Sequence, residues 1–270
     1  MEGIFNKASE MNSDLSGWNV AKVTTLDATF NRASKFRGGR SGLGSWDTSS
    51  VTTLYRTFRF AGEMNSDLSG WNVAKVTTLQ NTFTGASWMN SDLGSWDTAA
   101  VTTLHSTFNS ATSMNSALSG WVVTKVKTME RTFSDAVAFQ GTGVGTWATD
   151  SLTNLHETFQ GATSFEPHNT YNLKDWNVVK VTTLHGAFKG AEAFTGAGLD
   201  SWTTSSLTDL SYTFQNAVKM TTDVSKWDVS KVLESLFVKV FDGGTSLDPC
   251  EQRHIAGTFG REQKRRGEIE

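Results

Sequence analysis

Tryptophan returns nine times at intervals of 25 to 29 residues, at Trp18, Trp46, Trp71, Trp96, Trp121, Trp147, Trp176, Trp202 and Trp227. A period of that length makes the chain one small unit repeated, because each unit buries its apolar side chains against copies of itself. The apolar frame of a unit is visible in Leu68, Trp71, Val76, Leu79, Phe83 and Ala86, and the same letters recur around the other tryptophans. The chain is therefore expected to form an α/β repeat solenoid of about nine coils. Length then counts coils, and the one or two globular domains that 270 residues would otherwise suggest are not expected.

Spacing within a coil predicts its local structure. Trp71 and Val73 lie two apart on either side of Asn72, so a short strand is expected over 70–73 with Asn72 facing solvent, and stacked coils would pair these strands in parallel. Leu79, Phe83 and Ala86 are spaced by four and three, the face of a helix of about two turns. The residue before the leucine is Thr25, Thr53, Thr78, Thr103, Thr128, Asn154, Thr183 or Asp209, all of them types that cap a helix N-terminus by accepting from a free backbone N–H. A second large apolar residue, such as Met64, Met89 or Phe139, follows the helix and closes the coil.

Composition narrows the function classes. A net charge of -3 from 24 basic and 27 acidic residues exerts no broad pull on nucleic acid or on an anionic membrane. Cys250 is the only cysteine, which excludes an intrachain disulfide framework and a cysteine metal cluster, and it reads as a buried thiol. No stretch approaches the roughly 20 apolar residues of a membrane span, and Met1 to Phe5 lacks the basic-then-apolar order of a secretion signal. Phe5, Ala8 and Met11 match the second half of a coil, so the chain is expected to start inside a repeat, truncated or uncapped.

The repeats are expected over 1–232. The template is expected to fail after that point, because Lys239 falls where phenylalanine belongs. A capping segment over 233–260 follows, with a helix that starts at Asp248 and Pro249, and the charged stretch 261–270 reads as a disordered tail.

Residues left over by stacking are the candidates for contact with a partner. Asn19, Asp47, Asn72, Asp97, Asn177 and Asp228 form an outward polar column beside the tryptophans, and Lys22, Lys75, Lys125, Lys180 and Lys231 recur in alternate coils. The lysines are either solvated spacing charges or part of an extended polar binding strip. Two coils carry insertions in the same turn, one with Arg37 and Arg40 and the other with His168 and Tyr171. Insertions in repeat stacks often line the functional edge, and neutral slippage of repeat length explains them equally well. Trp88 is the one tryptophan outside the column, placed in a surface turn as a contact point or as local packing.

His105, His156 and His185 share one position in different coils, and Tyr55, Gln80 and Glu130 also occupy it, so the position reads as an unconstrained exterior one. No metal site is expected there. Gly141 to Gly145 resembles a phosphate loop only in isolation, since Val144 aligns with Leu15 and Leu68. No Ser/His/Asp order, carboxylate pair, Walker loop or zinc signature remains, so no catalytic residue and no cofactor are expected.

The run Phe83, Ala86, Met89, Asn90, Asp92, Leu93, Trp96 and Asp97 resembles the repeat of the BspA-like leucine-rich repeat surface proteins, in the class of about 25 residues found in mycoplasma lipoproteins and in multi-copy microalgal proteins. The likeness covers about residues 5 to 232, with Thr-Leu where many members have Asn-Met. The resemblance implies a right-handed solenoid used in adhesion or protein interaction at a cell surface or after secretion, with no catalytic residues to transfer. The expected function is thus a non-catalytic scaffold that binds protein or glycan through its polar strand face and loop-bearing edge. The alternative is a structural subunit docked in a larger assembly through its open N-terminal end.

Overall fold

The computed structural model describes residues 1–38, 42–167 and 172–247, together with Gly257. Consecutive repeats lie side by side and are joined in parallel by single β-bridges, Thr25 to Thr53, Thr53 to Thr78, and so on through Thr103, Thr128, Asn154 and Thr183 to Asp209. The bridging residue is the one expected to cap a helix. Its side-chain oxygen does accept a nearby amide, as from Gln80 to Thr78 at 3.1 Å and from His156 to Asn154 at 2.8 Å, but it closes a local turn.

No α-helix follows among the described residues of any repeat. In the third repeat Thr82, Thr84 and Ala86 donate to carbonyls three residues back, while Leu79, Asn81, Phe83 and Gly85 donate across to Thr103, His105, Thr107 and Asn109 of the next repeat. Every second amide is thus spent between repeats, which an α-helix, with all its bonds internal, cannot do. The winding is completed by left-handed residues two and six places after the leucine, Asn81 at φ 57° and Gly85 at φ 68°. The four-and-three spacing of Leu79, Phe83 and Ala86 serves this chain of turns as well as it would serve a helix.

The strand expected over 70–73 is also absent, and the bridge sits instead at Thr78. A turn bonded from the Trp71 amide to the Leu68 carbonyl leads into the tryptophan, and in three repeats it tightens to a 3-10 turn, Val144–Thr146, Leu173–Asp175 and Leu199–Ser201. The alternation of sides is nevertheless as the two-residue spacing requires, with Trp71 and Val73 buried and Asn72 exposed.

The core is built from rings in register. Trp46, Trp71, Trp96, Trp121, Trp147, Trp176, Trp202 and Trp227 are buried, and successive indoles stack at 5.8–6.4 Å between centroids, as in Trp96 on Trp121 with 1° between planes. A parallel column of phenylalanines runs beside them, with Phe83 on Phe108 at 5.5 Å and Phe133 on Phe159 at 5.6 Å. Each buried indole N–H donates to the carbonyl of the residue three before the preceding tryptophan. Examples are Trp71 to Leu43 at 2.9 Å and Trp121 to Leu93 at 2.9 Å. Tryptophan therefore fills volume and ties two repeats together with a bond that no other large apolar side chain supplies.

Trp18, by contrast, lies against Phe5 and is 42% exposed. A second buried polar column was not foreseen. The threonine three after the leucine, as in Thr57, Thr82, Thr107 and Thr132, is fully buried and reaches two leucine or methionine carbonyls, its own and that of the repeat before.

Stacking also outlasts the expected break at Val232. Phe241 stacks on Phe214 at 5.6 Å, and Tyr212, Phe214 and Asn216 donate to Val238, Val240 and Asp242. Two extra residues between Val232 and Phe237, taken up by the 3-10 turn Glu234–Leu236, shift the rhythm and carry Lys239 into the left-handed position. The expected terminal helix from Asp248, Cys250 and the tail 261–270 lie outside the described residues.

Candidate functional site

The expected binding surface divides into parts with different geometry. In the polar column each side chain is exposed, yet its Oδ1 is already engaged by the amide two residues on. Ala21 donates to Asn19, Ser49 to Asp47, Ala74 to Asn72, Ala99 to Asp97, Val179 to Asn177 and Ser230 to Asp228. These Asx turns give the column a structural cause. Lys22, Lys75, Lys125, Lys180 and Lys231 all project into solvent, and Lys180 Nζ donates to the Asp150 carbonyl at 2.8 Å.

Arg37 and Trp88 are brought together from different repeats. The Arg37 guanidinium lies 5.3 Å from the Trp88 ring centroid and is held by the Glu63 carboxylate at 2.7 Å. Trp88 is 50% exposed, so its ring is a surface platform with a cation on it. Arg40, His168 and Tyr171, the remaining insertion candidates, lie outside the described residues. Beside the second insertion an open polar depression is lined by Gln140, Thr163, Ser164, Glu166, Ala193, Thr195 and Lys219, and Glu166 in it is bound to the Thr195 amide and hydroxyl.

The sequence reading missed a second cluster of arginines on aromatic rings. Arg32 and Arg59 both lie over the Phe60 ring, at 5.8 and 4.2 Å, and Arg56 covers Tyr55 at 4.6 Å. Phe60 is 38% exposed and its ring rests on Gly85, where any Cβ would overlap it. None of the three arginines pairs with a carboxylate among the described residues. Burial, then the charges of Arg56 and Arg32, push the Arg59 guanidinium below its ordinary value, and its Nε is buried without a hydrogen-bond partner. The available signal was the Arg-x-x-Arg-Phe run at Arg56, Arg59 and Phe60. It becomes legible only once the turns show that Arg32 of the repeat before reaches the same ring.

The histidine column behaves differently toward the other end. His105 Nδ1 lies 3.7 Å from Glu130, and the rings of His156 and His185 are parallel, 4.7 Å apart with 7° between planes. Glu157 Oε1 lies 3.3 Å from His156 Nε2, while its Oε2 accepts from Arg131 Nε at 2.5 Å. Burial pushes the Glu157 carboxyl up, but the Arg131 hydrogen bond and charge, with help from His156 and His185, outweigh it and hold the group below its usual value.

No helix among the described residues is long and apolar enough to cross a membrane. Comparison with curated proteins and with solved structures gives no match. A family model described as "Mycoplasma protein of unknown function, DUF285" matches residues 1–51, 38–143 and 138–248, following the tandem units along nearly the whole chain. The protein is a repeat protein, and it belongs to this mycoplasma-type repeat family of unknown function.

Proposed function

We propose that the chain is a non-catalytic repeat scaffold, a right-handed solenoid of leucine-rich-repeat type, that binds a protein or glycan partner through its rim. The finer placement among BspA-like surface proteins, with a role in adhesion, rests on the Phe83 to Asp97 pattern. The observation that carries the binding reading is the arginine and aromatic edge of the first repeats. Arg32, Arg56 and Arg59 gather around exposed Phe60 with no acid among the described residues to balance them, and Arg59 Nε is left without a partner. Arg32 and Arg56 are exposed, so their guanidinium groups suit a ligand that supplies carboxylate or sulfate oxygens. The faces of Phe60 and Trp88 suit the C–H face of a sugar ring or an apolar side chain.

The test is retention of the full chain on an immobilised acidic polysaccharide and on a neutral one. R59Q and F60A are expected to weaken retention on the acidic matrix by about tenfold or more, the effect of losing one charge-assisted contact. Equal retention of wild type and both variants on either matrix would contradict the glycan arm, and cross-linking in native extract then tests the protein arm through the same residues.

The second reading, a subunit docked in a larger assembly, is favoured by the exposed apolar side chains of Ile4 and Trp18. Light scattering separates the two. Concentration-dependent association lost in W18S supports docking, and a monomer at all concentrations disfavours it.

A further inference from the structure

His156 and His185 occupy equivalent places in neighbouring repeats, directly after the buried Leu155 and Leu184, and the stacking that aligns the core also aligns them. Their rings are parallel at 4.7 Å, and Glu157 follows His156 in the chain with its Oε1 3.3 Å from His156 Nε2. One ligand atom from each of the three lies within 4.8 Å of the other two. Two donors on a tetrahedral zinc ion, each at about 2.0–2.1 Å, stand about 3.4 Å apart, so the two rings would turn out of their parallel stack to point their nitrogens at a common centre.

The surroundings fix these groups in ways that suit coordination. Arg131 holds Oε2 of Glu157, and Oε1 faces His156 Nε2. Gly186 stands opposite Glu157 at the equivalent position of the next repeat, and a Cβ there would press on the Glu157 Cγ at 3.1 Å. Asp209 Oδ2 lies 3.6 Å from His185 Nδ1, near enough to accept from it after a small shift, as an outer carboxylate would. Two imidazoles with one carboxylate select a borderline ion of the zinc class, whereas calcium and magnesium require oxygen donors.

We propose that His156, Glu157 and His185 form a binding site for a zinc-class divalent cation that clamps the sixth repeat to the seventh, with water completing the coordination. His105 has no second imidazole beside it, since Gln80 and Glu130 occupy its column in the adjacent repeats, and it serves as the internal control.

The experiment uses the full chain without a polyhistidine tag, stripped with a chelator, then titrated with Zn²⁺ by calorimetry and with Co²⁺ by visible absorption. One Zn²⁺ per chain and ligand-field bands from bound Co²⁺ are expected. H156Q, H185Q and E157Q should each weaken Zn²⁺ binding by about tenfold or more, and H105Q should leave it unchanged. Absence of Zn²⁺ binding by the wild-type chain would overturn the proposal, as would a doubly substituted H156Q/H185Q chain that binds as the wild type does. Where a single variant fails to fold, absence of Zn²⁺ binding by the wild-type chain still overturns the proposal.

Discussion

The rim of the second repeat and the rim of the sixth are laid on the same backbone and carry opposite chemistry. One and two places after the buried leucine stand Tyr55 and Arg56 in one, His156 and Glu157 in the other, and both Arg56 and Glu157 are left-handed, at φ 56° and 49°. In the first region the arginines repel one another and find no acid among the described residues. In the second the acid is bound by Arg131 and flanked by imidazoles. The contrast teaches that the turns are set by bonds between main-chain groups of adjacent repeats, so the side chains at their outer corners are free to vary. The interior has no such freedom, because each indole must both fit its column and reach a carbonyl in the repeat before.

The largest effect is expected where interior meets neighbour. Trp121→Ala removes a ring stacked on both sides and the indole donor to the Leu93 carbonyl, which keeps only the Trp96 amide, and should cost about 3–5 kcal/mol in urea titration. If it costs no more than a rim substitution, the distinction between core and rim is wrong. Gly120→Ala comes next, since its Cβ would overlap the Gly94 carbonyl oxygen, a backbone atom that cannot step aside. A loss of about 1–3 kcal/mol is expected.

The two rims should then move in opposite directions. Glu157→Gln breaks a pair whose arginine is half exposed, so after solvent screening the loss should be about 0.5–1 kcal/mol in chelator. The Glu157 carboxyl is held below its usual value in the folded chain, so its contribution is present above that usual value and is lost as pH falls through the lower folded one. Wild type should therefore lose more stability on acidification than E157Q, and equal acid sensitivity would remove the asymmetry. Arg59→Met relieves repulsion and an unpartnered buried Nε, and thermal unfolding should show a gain of up to about 1 kcal/mol. A loss there would show that the arginine cluster is built for stability and not for a ligand. Asn72→Ala removes only the exposed Asx turn with Ala74 and should change stability by about 0.5 kcal/mol or less.

The period of the tryptophans and the alternation of Trp71, Asn72 and Val73 made the interior legible, because burial repeats wherever stacking does. The backbone path was not legible from apolar spacing alone. Leu79, Phe83 and Ala86 satisfy a helical face, and the contrary signal lay between them, in residues tolerant of left-handed backbone such as Asn81 and Gly85, with Gly161, Gly186 and Gly190 in later repeats. Nothing in the apolar spacing marks Thr82, yet it is buried on two carbonyls. Arg37 and Trp88 were each visible as surface candidates, while their contact, the Arg32 and Phe60 pairing, and the meeting of His156 with His185 depend on which corners of successive repeats coincide. That is a property of the stack and not of any one unit.

The central claim is that the columns seal eight of the ten tryptophans and leave Trp18 and Trp88 at the surface. Iodide quenching of fluorescence in the native chain and in a W18F/W88F variant tests it directly. The wild type should show a small accessible component that disappears in the variant, whereas extensive quenching of the variant's remaining indoles would contradict the stacked interior.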